Sequence, residues 1–313
     1  MKRRRWLWLT IGVIVGLPVV LVLVTVISYQ VADRSTGSIV VAGETREYLL
    51  HVPESYGAER PTPLVISMHG TGLWPARQVA MSSWNTVADE EGFIVVYPSA
   101  TPLLGIGWPK LWRAWEDISG SEDTAADIRF ISGLIDALDA EYNIDATRIY
   151  ANGYSSGGAM ANLLACRLSD RFAAVGTVAT AHLSFDLCGD LQSMPLIAFH
   201  GTADTLVPYE GGLSAMSGDE PWDSIRRWID GWVERNACDS APRESDIAED
   251  IARLEYSGCE SGAAVVLYTV EGGGHTWPGS NLPRWMSGMV GNTSDSVNAT
   301  REIWSFFREH SKR

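Results

Sequence analysis

The sequence predicts an α/β fold with a mostly parallel central sheet and helices on both of its faces. Apolar runs typical of fully buried strands, such as PLVISMHG at 63–70 and GFIVVYPS at 92–99, alternate with segments of helical spacing. Strands that are hydrophobic on both sides are typical of a parallel sheet that helices cover on both faces. Ligands of such sheets bind at the carboxyl ends of the strands, so functional residues are expected there.

Strands and helices are predicted in a regular order along the chain. Residues 38–53 are predicted to form a β-hairpin. Further strands are predicted at 63–70, 92–99, 148–153, 173–180, 195–201 and 263–272. Helices are predicted at 83–91, 123–142, 156–168, 222–236 and 301–310. The helix over 123–142 is the clearest, because its apolar residues recur every three to four positions and form one stripe.

The N-terminal segment, residues 1–34, is predicted to lie outside this fold. KRRR is followed by 22 uncharged residues, Trp6 to Ile27, which as a helix would span about 33 Å, enough for a bilayer core. A signal-anchor is favoured over a cleaved signal peptide, because the residues after it fit a small-residue cleavage site poorly. Basic residues stay cytoplasmic. Residues 35–313 are therefore expected to form one domain in the cell envelope or outside the cell, membrane-anchored or secreted.

The charge of the chain excludes some classes of partner. The formal net charge is −14, and the clustered positive residues lie at positions 2–5. An acidic surface repels phosphate backbones, so nucleic acid is not an expected partner. The sequence contains no phosphate loop, dinucleotide fingerprint or metal-ligand spacing, so we expect no cofactor and no metal.

Four cysteines are present, Cys166, Cys188, Cys238 and Cys259. An even number in an exported domain suggests disulfide bonds. Three pairings are possible. The pairing of sequence neighbours, Cys166–Cys188 and Cys238–Cys259, is favoured because each bond closes a short loop, and buried free thiols are the alternative.

The stretch RIYANGYSSGG at 148–158 contains the main candidate for chemistry. Ser155 lies between Gly153 and Gly157, directly after a predicted strand and before a predicted helix. The pattern G-x-S-x-G in this context is typical of a sharp turn that exposes the serine hydroxyl above the sheet. The glycines let the turn close without a Cβ clash. Ser155 is therefore a predicted nucleophile, and the alternative is that Ser155 or Ser156 only caps the helix.

A serine nucleophile needs a base, which in sheets of this type is a histidine late in the chain. His275 lies in EGGGHTWPGS, a glycine loop after the last predicted strand. Such a loop can carry an imidazole back over the sheet, so His275 is the predicted base. His182, His200 and His310 are the other histidines that follow Ser155. If His182 or His200 were the base, few residues would remain between it and Ser155 to supply the acid. His310 lies in a charged tail.

The acid is expected after a strand that precedes His275 in the chain. Asp204 follows the apolar strand of PLIAFHGTADTLVPY and is the predicted acid, ahead of Glu210 and Asp186. Its expected role is to hold the imidazole tautomer and to stabilise the imidazolium. Because aspartate is common in turns, a purely turn-forming Asp204 is the alternative.

The negative oxygen of an acyl-transfer intermediate requires hydrogen-bond donors. One is expected to be the backbone N–H of Ser156, at the start of the predicted helix. The other is expected from Thr71 in the loop HGTG at 69–72, where glycines permit close approach of the backbone. A tight turn that happens to contain glycines is the alternative for this loop.

Two aromatic residues are candidate substrate contacts. Trp277 follows the predicted base by two positions, and Tyr154 precedes the predicted nucleophile. Exposed tryptophan stacks on sugar or aryl rings, although core packing is the alternative. The segment 101–120, rich in Gly, Pro and Trp, is hypothesised to be a lid.

Several stretches together resemble the carbohydrate esterase family 1 and poly(3-hydroxybutyrate) depolymerase group of α/β-hydrolases, which includes feruloyl and acetylxylan esterases. These stretches are REYLLHVP, PLVISMHGTG, RIYANGYSSGGAMANLLAC, PLIAFHGTADTLVPY and GGGHTWPG. The resemblance implies an α/β-hydrolase fold with Ser155 as nucleophile, Asp204 as acid and His275 as base. It also implies a disulfide among the later cysteines. Relatives often have Cys after the His-Gly of the early loop and Leu at position 154, so the natural ester stays open.

The sequence thus predicts an exported serine esterase that hydrolyses carboxylic esters through an acyl-enzyme. Polyhydroxyalkanoates, acetyl- or feruloyl-polysaccharide esters and smaller esters are the candidate substrates. A serine peptidase of the same fold and a non-catalytic cell-envelope binding protein are the alternatives. The acyl group, the alcohol and the oligomeric state are not predicted.

Overall fold

Twelve strands and seven helices make up the part of the chain that the structure, a computed structural model, describes. That part comprises residues 35–102, 109–114, 122–180, 185, 188, 192–214, 217, 219, 221–239, 241–281 and 287–312. The strands are β1 Gly37–Val41, β2 Glu44–His51, β3 Thr62–Met68, β4 Ile94–Pro98, β5 Thr101–Pro102, β6 Lys110–Leu111, β7 Ile144–Tyr154, β8 Ala174–Val178, β9 Leu196–Gly201, β10 Arg243–Ala248, β11 Ile251–Tyr256 and β12 Val265–Val270. The helices are α1 Pro75–Ser82, α2 Trp84–Glu91, α3 Glu122–Glu141, α4 Ser156–Arg167, α5 Ile225–Arg235, α6 Ser287–Val290 and α7 Ala299–Phe307.

Ten of these strands form one sheet in the order β1-β2-β4-β3-β7-β8-β9-β12-β11-β10. The six central strands, β4 to β12 in that order, are all parallel to their neighbours. The hairpins β1–β2 and β10–β11 extend the sheet in antiparallel pairing at its two edges. The parallel centre brings the carboxyl ends of β3, β7, β9 and β12 to one edge, where the candidate site residues lie.

The central strands contribute side chains to two apolar cores, one on each face of the sheet. In β3, Leu64 and Ile66 pack in one core, whereas Val65 between them packs in the other. This alternation follows from the two-residue period of a strand. Helices α3, α4 and α5 cover the first core, and α2 and α7 cover the second. The prediction of a mostly parallel sheet with helices on both faces is confirmed.

Helix α1 and the hairpin β10–β11 were not predicted, and neither were the short elements β5, β6 and α6. Helix α1 begins at Pro75. Proline suits the first helical turn because backbone N–H groups have no partner inside the helix there, so a residue without an N–H loses no hydrogen bond. The hairpin β10–β11 follows helix α5, and its outer strand, RESDIA, is too polar to resemble the buried strands of the centre.

Two disulfide bonds stabilise the later half of the chain. Cys166 is bonded to Cys188, and Cys238 is bonded to Cys259. The first bond fixes the end of α4 to the segment before β9. The second closes a loop of 21 residues that contains the hairpin β10–β11. These are the pairs of sequence neighbours that the short-loop argument favours.

The predicted N-terminal segment, residues 1–34, lies outside the described residues, as do 103–108 and 115–121 of the hypothesised lid. Within the described ranges, every helix is too short or too polar to cross a bilayer. The described part of the lid segment includes β6 and Trp112, whose side chain is fully buried in the core.

Candidate active site

The turn between β7 and α4 places Ser155 above the sheet in a strained conformation. Its φ of 52° and ψ of −120° depart from both helix and strand, and residues other than glycine rarely adopt a positive φ. Gly157 allows this turn to pack against the end of β3. A Cβ at position 157 would overlap the Met68 carbonyl oxygen and lie 2.6 Å from the His69 carbonyl oxygen. Close contact between the turn and the end of β3 therefore requires glycine.

Asp204 and His275 meet in a buried contact. His275 Nδ1 lies 2.7 Å from Asp204 Oδ2, and both residues are 4% exposed. They come from the loops after β9 and β12, which are adjacent parallel strands. A carboxylate at this distance holds the proton on Nδ1 and leaves Nε2 as the nitrogen that can accept a proton.

The carboxylate of Asp204 is held on both of its oxygens. Oδ1 accepts hydrogen bonds from the backbone N–H groups of Leu206 and Val207, each at 2.9 Å. His200 Nε2 lies 3.4 Å from Oδ2. Burial by itself raises the pKa of the Asp204 carboxyl, but its contacts with His200, whose Nε2 also lies 2.8 Å from the Val207 carbonyl oxygen, and with His275 outweigh burial and hold this pKa far below its usual value. Asp204 is therefore ionised at ordinary pH.

Backbone contacts join the acid loop to the base loop. Ala203 N–H donates to the Gly273 carbonyl at 2.8 Å, and Thr202 N–H donates to the Val270 carbonyl at 2.9 Å. A Cβ on Gly201 would overlap the backbone of Gly273, so the two loops can approach this closely only with glycine at that position. The distance between Asp204 and His275 is thus set by main-chain contacts as well as by their own hydrogen bond.

Tyr154 links the turn at Ser155 to the loop that carries His275. Its hydroxyl donates to the His275 carbonyl oxygen at 2.6 Å, and the two rings lie 5.1 Å apart. Burial holds the pKa of the Tyr154 phenol far above its usual value, so the hydroxyl keeps its proton and remains a donor. The side chain is buried and occupied in this contact, which does not support the predicted substrate contact at Tyr154.

The predicted substrate contact at Trp277 is wrong, because its side chain is buried. It is 1% exposed and packs in the core beside α7, and its indole N–H donates to Thr300 Oγ1 at 3.0 Å. A side chain with so little accessible surface cannot stack on a substrate. Its position indicates instead that it anchors the chain immediately after His275.

The loop after β3 lies against the nucleophile turn. A Cβ built on Gly70 would lie 3.3 Å from Ser155 Cβ. Thr71 is exposed, and its N–H makes no hydrogen bond within the described ranges. Ser156 is the first residue of α4, where backbone N–H groups have no partner inside the helix. The loop that carries Thr71 and the helix start that carries Ser156 thus both adjoin Ser155.

Ser155 Oγ makes no hydrogen bond to His275 or to any other described residue. Hydrogen bonds to a catalytic base are often long in unliganded enzymes and shorten when substrate binds. The competing candidates lie elsewhere: Glu210 is exposed, and His310 bonds the Phe306 carbonyl on α7. His182 and Asp186 lie outside the described residues.

Two histidines near the site lie in positions that the sequence analysis did not predict. His200 was considered only as a base, yet it lies beside the carboxylate of Asp204. His69, considered only as part of a glycine loop, is fully buried beneath that loop. In both cases the available signal was a histidine at the carboxyl end of an apolar strand. Among the described residues, no cluster of three His, Cys, Asp or Glu side chains is arranged to hold a metal.

A parallel sheet of this order, with a serine turn after β7 and late acid and base loops, defines the class of α/β-hydrolases. Comparisons with known proteins agree with this class. The chain belongs to the family described as Esterase PHB depolymerase, whose sequence profile matches residues 46–207. It is an esterase, a hydrolase that acts on carboxylic ester bonds.

Individual relatives are similarly named. The chain is 31% identical to "Putative esterase NocK" of Nocardia uniformis subsp. tsuyamanensis, over 86% of this chain and 81% of that protein. It is 27% identical to feruloyl esterase B of Piromyces equi, over 74% of this chain but only 42% of that protein. The structure of an acetyl xylan esterase from Aspergillus awamori superposes with a TM-score of 0.55 and 18% identity, covering 74% of this chain and 89% of that one. This last similarity shows the fold.

We expect Gly157→Ala to lower kcat/KM by roughly a hundredfold, because the turn must open to admit a Cβ and a displacement of about 1 Å at a reacting group has a cost of that size. The measurement is steady-state ester hydrolysis by the purified variant. Gly288→Ala is the matched control, because a Cβ at Gly288 meets nothing within 4 Å. Equal activity of the Gly157→Ala variant and the control would contradict the inference that the turn requires glycine at position 157.

We expect the carboxylate of Asp204 to stabilise the fold in a pH-dependent way. The pKa of Asp204 is lower in the folded state than in the unfolded chain, where it is about 4. Its contribution is therefore fully present above that value and is lost as the pH falls through the folded pKa. Below about pH 4, the advantage of the wild type over Asp204→Asn in unfolding free energy, on the order of 2 kcal/mol, should shrink. Urea denaturation at a series of pH values measures it; an advantage that grows on acidification would refute the expectation.

Proposed function

We propose that this esterase is an exported serine hydrolase with Ser155 as nucleophile, His275 as general base and Asp204 as the acid that orients it. The single observation that carries this proposal is the buried 2.7 Å contact between His275 Nδ1 and Asp204 Oδ2, at the sheet edge where the turn exposes Ser155. Three loops from distant parts of the chain supply these residues. A structural role alone does not require a strained serine beside a buried ionic pair.

The proposed reaction proceeds in two half-reactions. Ser155 Oγ attacks the ester carbonyl carbon while His275 Nε2 takes the hydroxyl proton. Collapse of the tetrahedral intermediate breaks the bond to the alcohol, which leaves with the proton from His275. Water then attacks the acyl-enzyme with its proton going to His275, and release of the acid returns the proton to Ser155 Oγ. Asp204 stabilises the imidazolium in both halves.

The oxyanion is proposed to bind between two backbone donors, the N–H of Ser156 and the N–H of Thr71. The first lies at the amino end of α4, where the helix dipole favours negative charge. The second belongs to the loop that packs on Ser155 through Gly70. Such donors act on charge that develops only in the transition state, and loss of one typically costs a hundredfold or more in rate.

The proposed substrate class is an acetyl or feruloyl ester of a polysaccharide. This proposal rests on the names of the relatives, feruloyl esterase B and acetyl xylan esterase. A polyhydroxyalkanoate is the second candidate, because the family takes its description from depolymerases of such polyesters. The proposal that the domain functions outside the cytoplasm rests on its two disulfide bonds, which persist in oxidising compartments.

We expect Ser155→Ala to abolish both ester hydrolysis and covalent labelling by a fluorophosphonate. Because the alanine has no hydroxyl to form the acyl-enzyme, kcat should fall by at least roughly 10⁴-fold. Hydrolysis of 4-nitrophenyl acetate and mass spectrometry of the labelled protein provide the measurements.

Ser245→Ala, on the edge strand β10, is the control for this experiment and should behave as wild type. Retention of activity in the Ser155→Ala variant would refute the proposed nucleophile. Absence of labelling in folded wild-type protein would favour a binding protein, and faster turnover of a peptide amide than of an ester would favour a peptidase.

We expect kcat/KM for methyl ferulate or for an acetylated xylo-oligosaccharide to exceed that for a 3-hydroxybutyrate trimer by at least roughly tenfold. A pocket that fits one acyl group discriminates against another by factors of about this size. The measurement is product release under identical conditions from the domain that begins at residue 35. Preference for the hydroxybutyrate ester would instead assign the enzyme to the polyester substrates.

A further inference from the structure

His69 is a buried histidine that takes no part in the proposed proton transfers. It follows the carboxyl end of β3 and is fully buried. Both of its ring nitrogens have backbone partners: Nδ1 lies 2.8 Å from the Gly70 carbonyl oxygen, and Nε2 lies 3.2 Å from the Ala100 backbone nitrogen. A histidine with two such partners has a defined orientation and a defined tautomer.

The proton of His69 can be assigned from these two partners. The Ala100 N–H can only donate, so Nε2 accepts, whereas the Gly70 oxygen can only accept, so Nδ1 carries the proton and donates. Burial lowers the pKa of His69 to about 3, and the positive charge of Lys110 acts in the same direction. The ring is therefore neutral at ordinary pH, which this hydrogen-bonding pattern requires.

These contacts fix the peptide group between Gly70 and Thr71. The Gly70 carbonyl oxygen accepts from His69 Nδ1 and, at 3.1 Å, from the Leu73 N–H. In a planar trans peptide the C=O and N–H bonds point in opposite directions. Because the Gly70 oxygen points at the buried imidazole, the N–H of Thr71 points away from it, out of the core.

Neighbouring groups hold the rest of the loop. Gly72 N–H donates to the Lys110 carbonyl at 2.9 Å, and Trp112 Nε1 donates to the His69 carbonyl at 2.9 Å. The backbone N–H of Thr71, which lies between these anchored positions, makes no hydrogen bond within the described ranges. A free donor on a fixed peptide is what an oxyanion site requires.

We propose that His69 is a positioning residue, which holds the Gly70–Thr71 peptide so that the Thr71 N–H is aimed at the oxyanion of the tetrahedral intermediate. This inference rests on the proposed function of Ser155. His69 does not touch substrate, and it neither gains nor loses a proton during the reaction. It acts by keeping one donor in place before charge develops on the substrate oxygen.

The role of His69 has a kinetic signature that a merely structural role lacks. An interaction made only in the transition state changes kcat and leaves KM nearly unchanged. A boronic acid forms a tetrahedral adduct that resembles the intermediate, so its affinity should fall together with kcat when His69 is replaced. The affinity for the product carboxylic acid should not fall. A purely structural role would instead lower thermal stability and leave kcat per active site unchanged.

The test compares His69→Phe and His69→Asn with wild type, with active sites counted by titration. For His69→Phe, which removes both polar contacts, we expect kcat and boronic acid affinity to fall by roughly 10- to 100-fold, with KM within about twofold. For His69→Asn, whose amide can replace the Nδ1 donor, we expect a smaller loss. His51→Gln is the matched control, because His51 lies opposite Val95 at the amino end of β4, away from the carboxyl ends of the strands, and contacts Asp89 of α2.

Each outcome of the test decides the inference. Unchanged kcat in His69→Phe would overturn it, as would equal losses of boronic acid and product affinity. If His69→Phe does not fold, His69→Asn decides alone, and wild-type kcat together with wild-type boronic acid affinity in that variant would overturn the inference. The Ser155→Ala variant separates the two proposals: if it remains active, the proposed function fails, whereas if it is inactive and His69→Phe is normal, only the role of His69 fails.

Discussion

Contact between the β7–α4 turn and the end of β3 is the constraint on which the site depends. Gly157 packs against the carbonyl oxygens of Met68 and His69 at a distance that no Cβ could share. This contact holds the serine in its strained conformation and brings the loop after β3 against it. Backbone packing therefore places Ser155 beside the loop that carries Thr71, and side chains such as His69 act on that loop in addition. The parallel sheet is necessary because only parallel strands end at the same edge.

The site consists of two halves that different strands support. The turn after β7 and the loop after β3 hold Ser155 and the proposed oxyanion donors, whereas the loops after β9 and β12 hold Asp204 and His275. Backbone hydrogen bonds such as that from Ala203 to Gly273 make the second half a single unit. Tyr154 connects the halves, because it adjoins Ser155 in sequence and donates to the His275 carbonyl. The distance between Ser155 and His275 thus depends on the phenol of Tyr154 as well as on the sheet.

Local chemistry explains which parts of the molecule could be read from the sequence. The strand–turn–helix around Ser155 can be predicted from the sequence because the flanking glycines, the strand before it and the helix after it all lie within a few residues. The hairpin β10–β11 was missed because its outer strand is polar and, among the described residues, pairs only with β11. Trp277 was misplaced because sequence position next to His275 does not reveal the direction of a side chain, and burial against α7 decides it. The role of His69 depends on Ala100, a partner 31 residues away, which no local pattern indicates.

The outer strand β10 has a consequence for behaviour at high concentration. An open strand edge offers unpaired backbone groups to another molecule and is a common starting point for aggregation. Here that strand carries Arg243, Glu244 and Asp246 within six residues. A second copy that added a strand in this place would have to bring several charged side chains close together and partly remove them from water. The polar character that hid this strand from sequence analysis thus protects the open border of the sheet against edge-to-edge association.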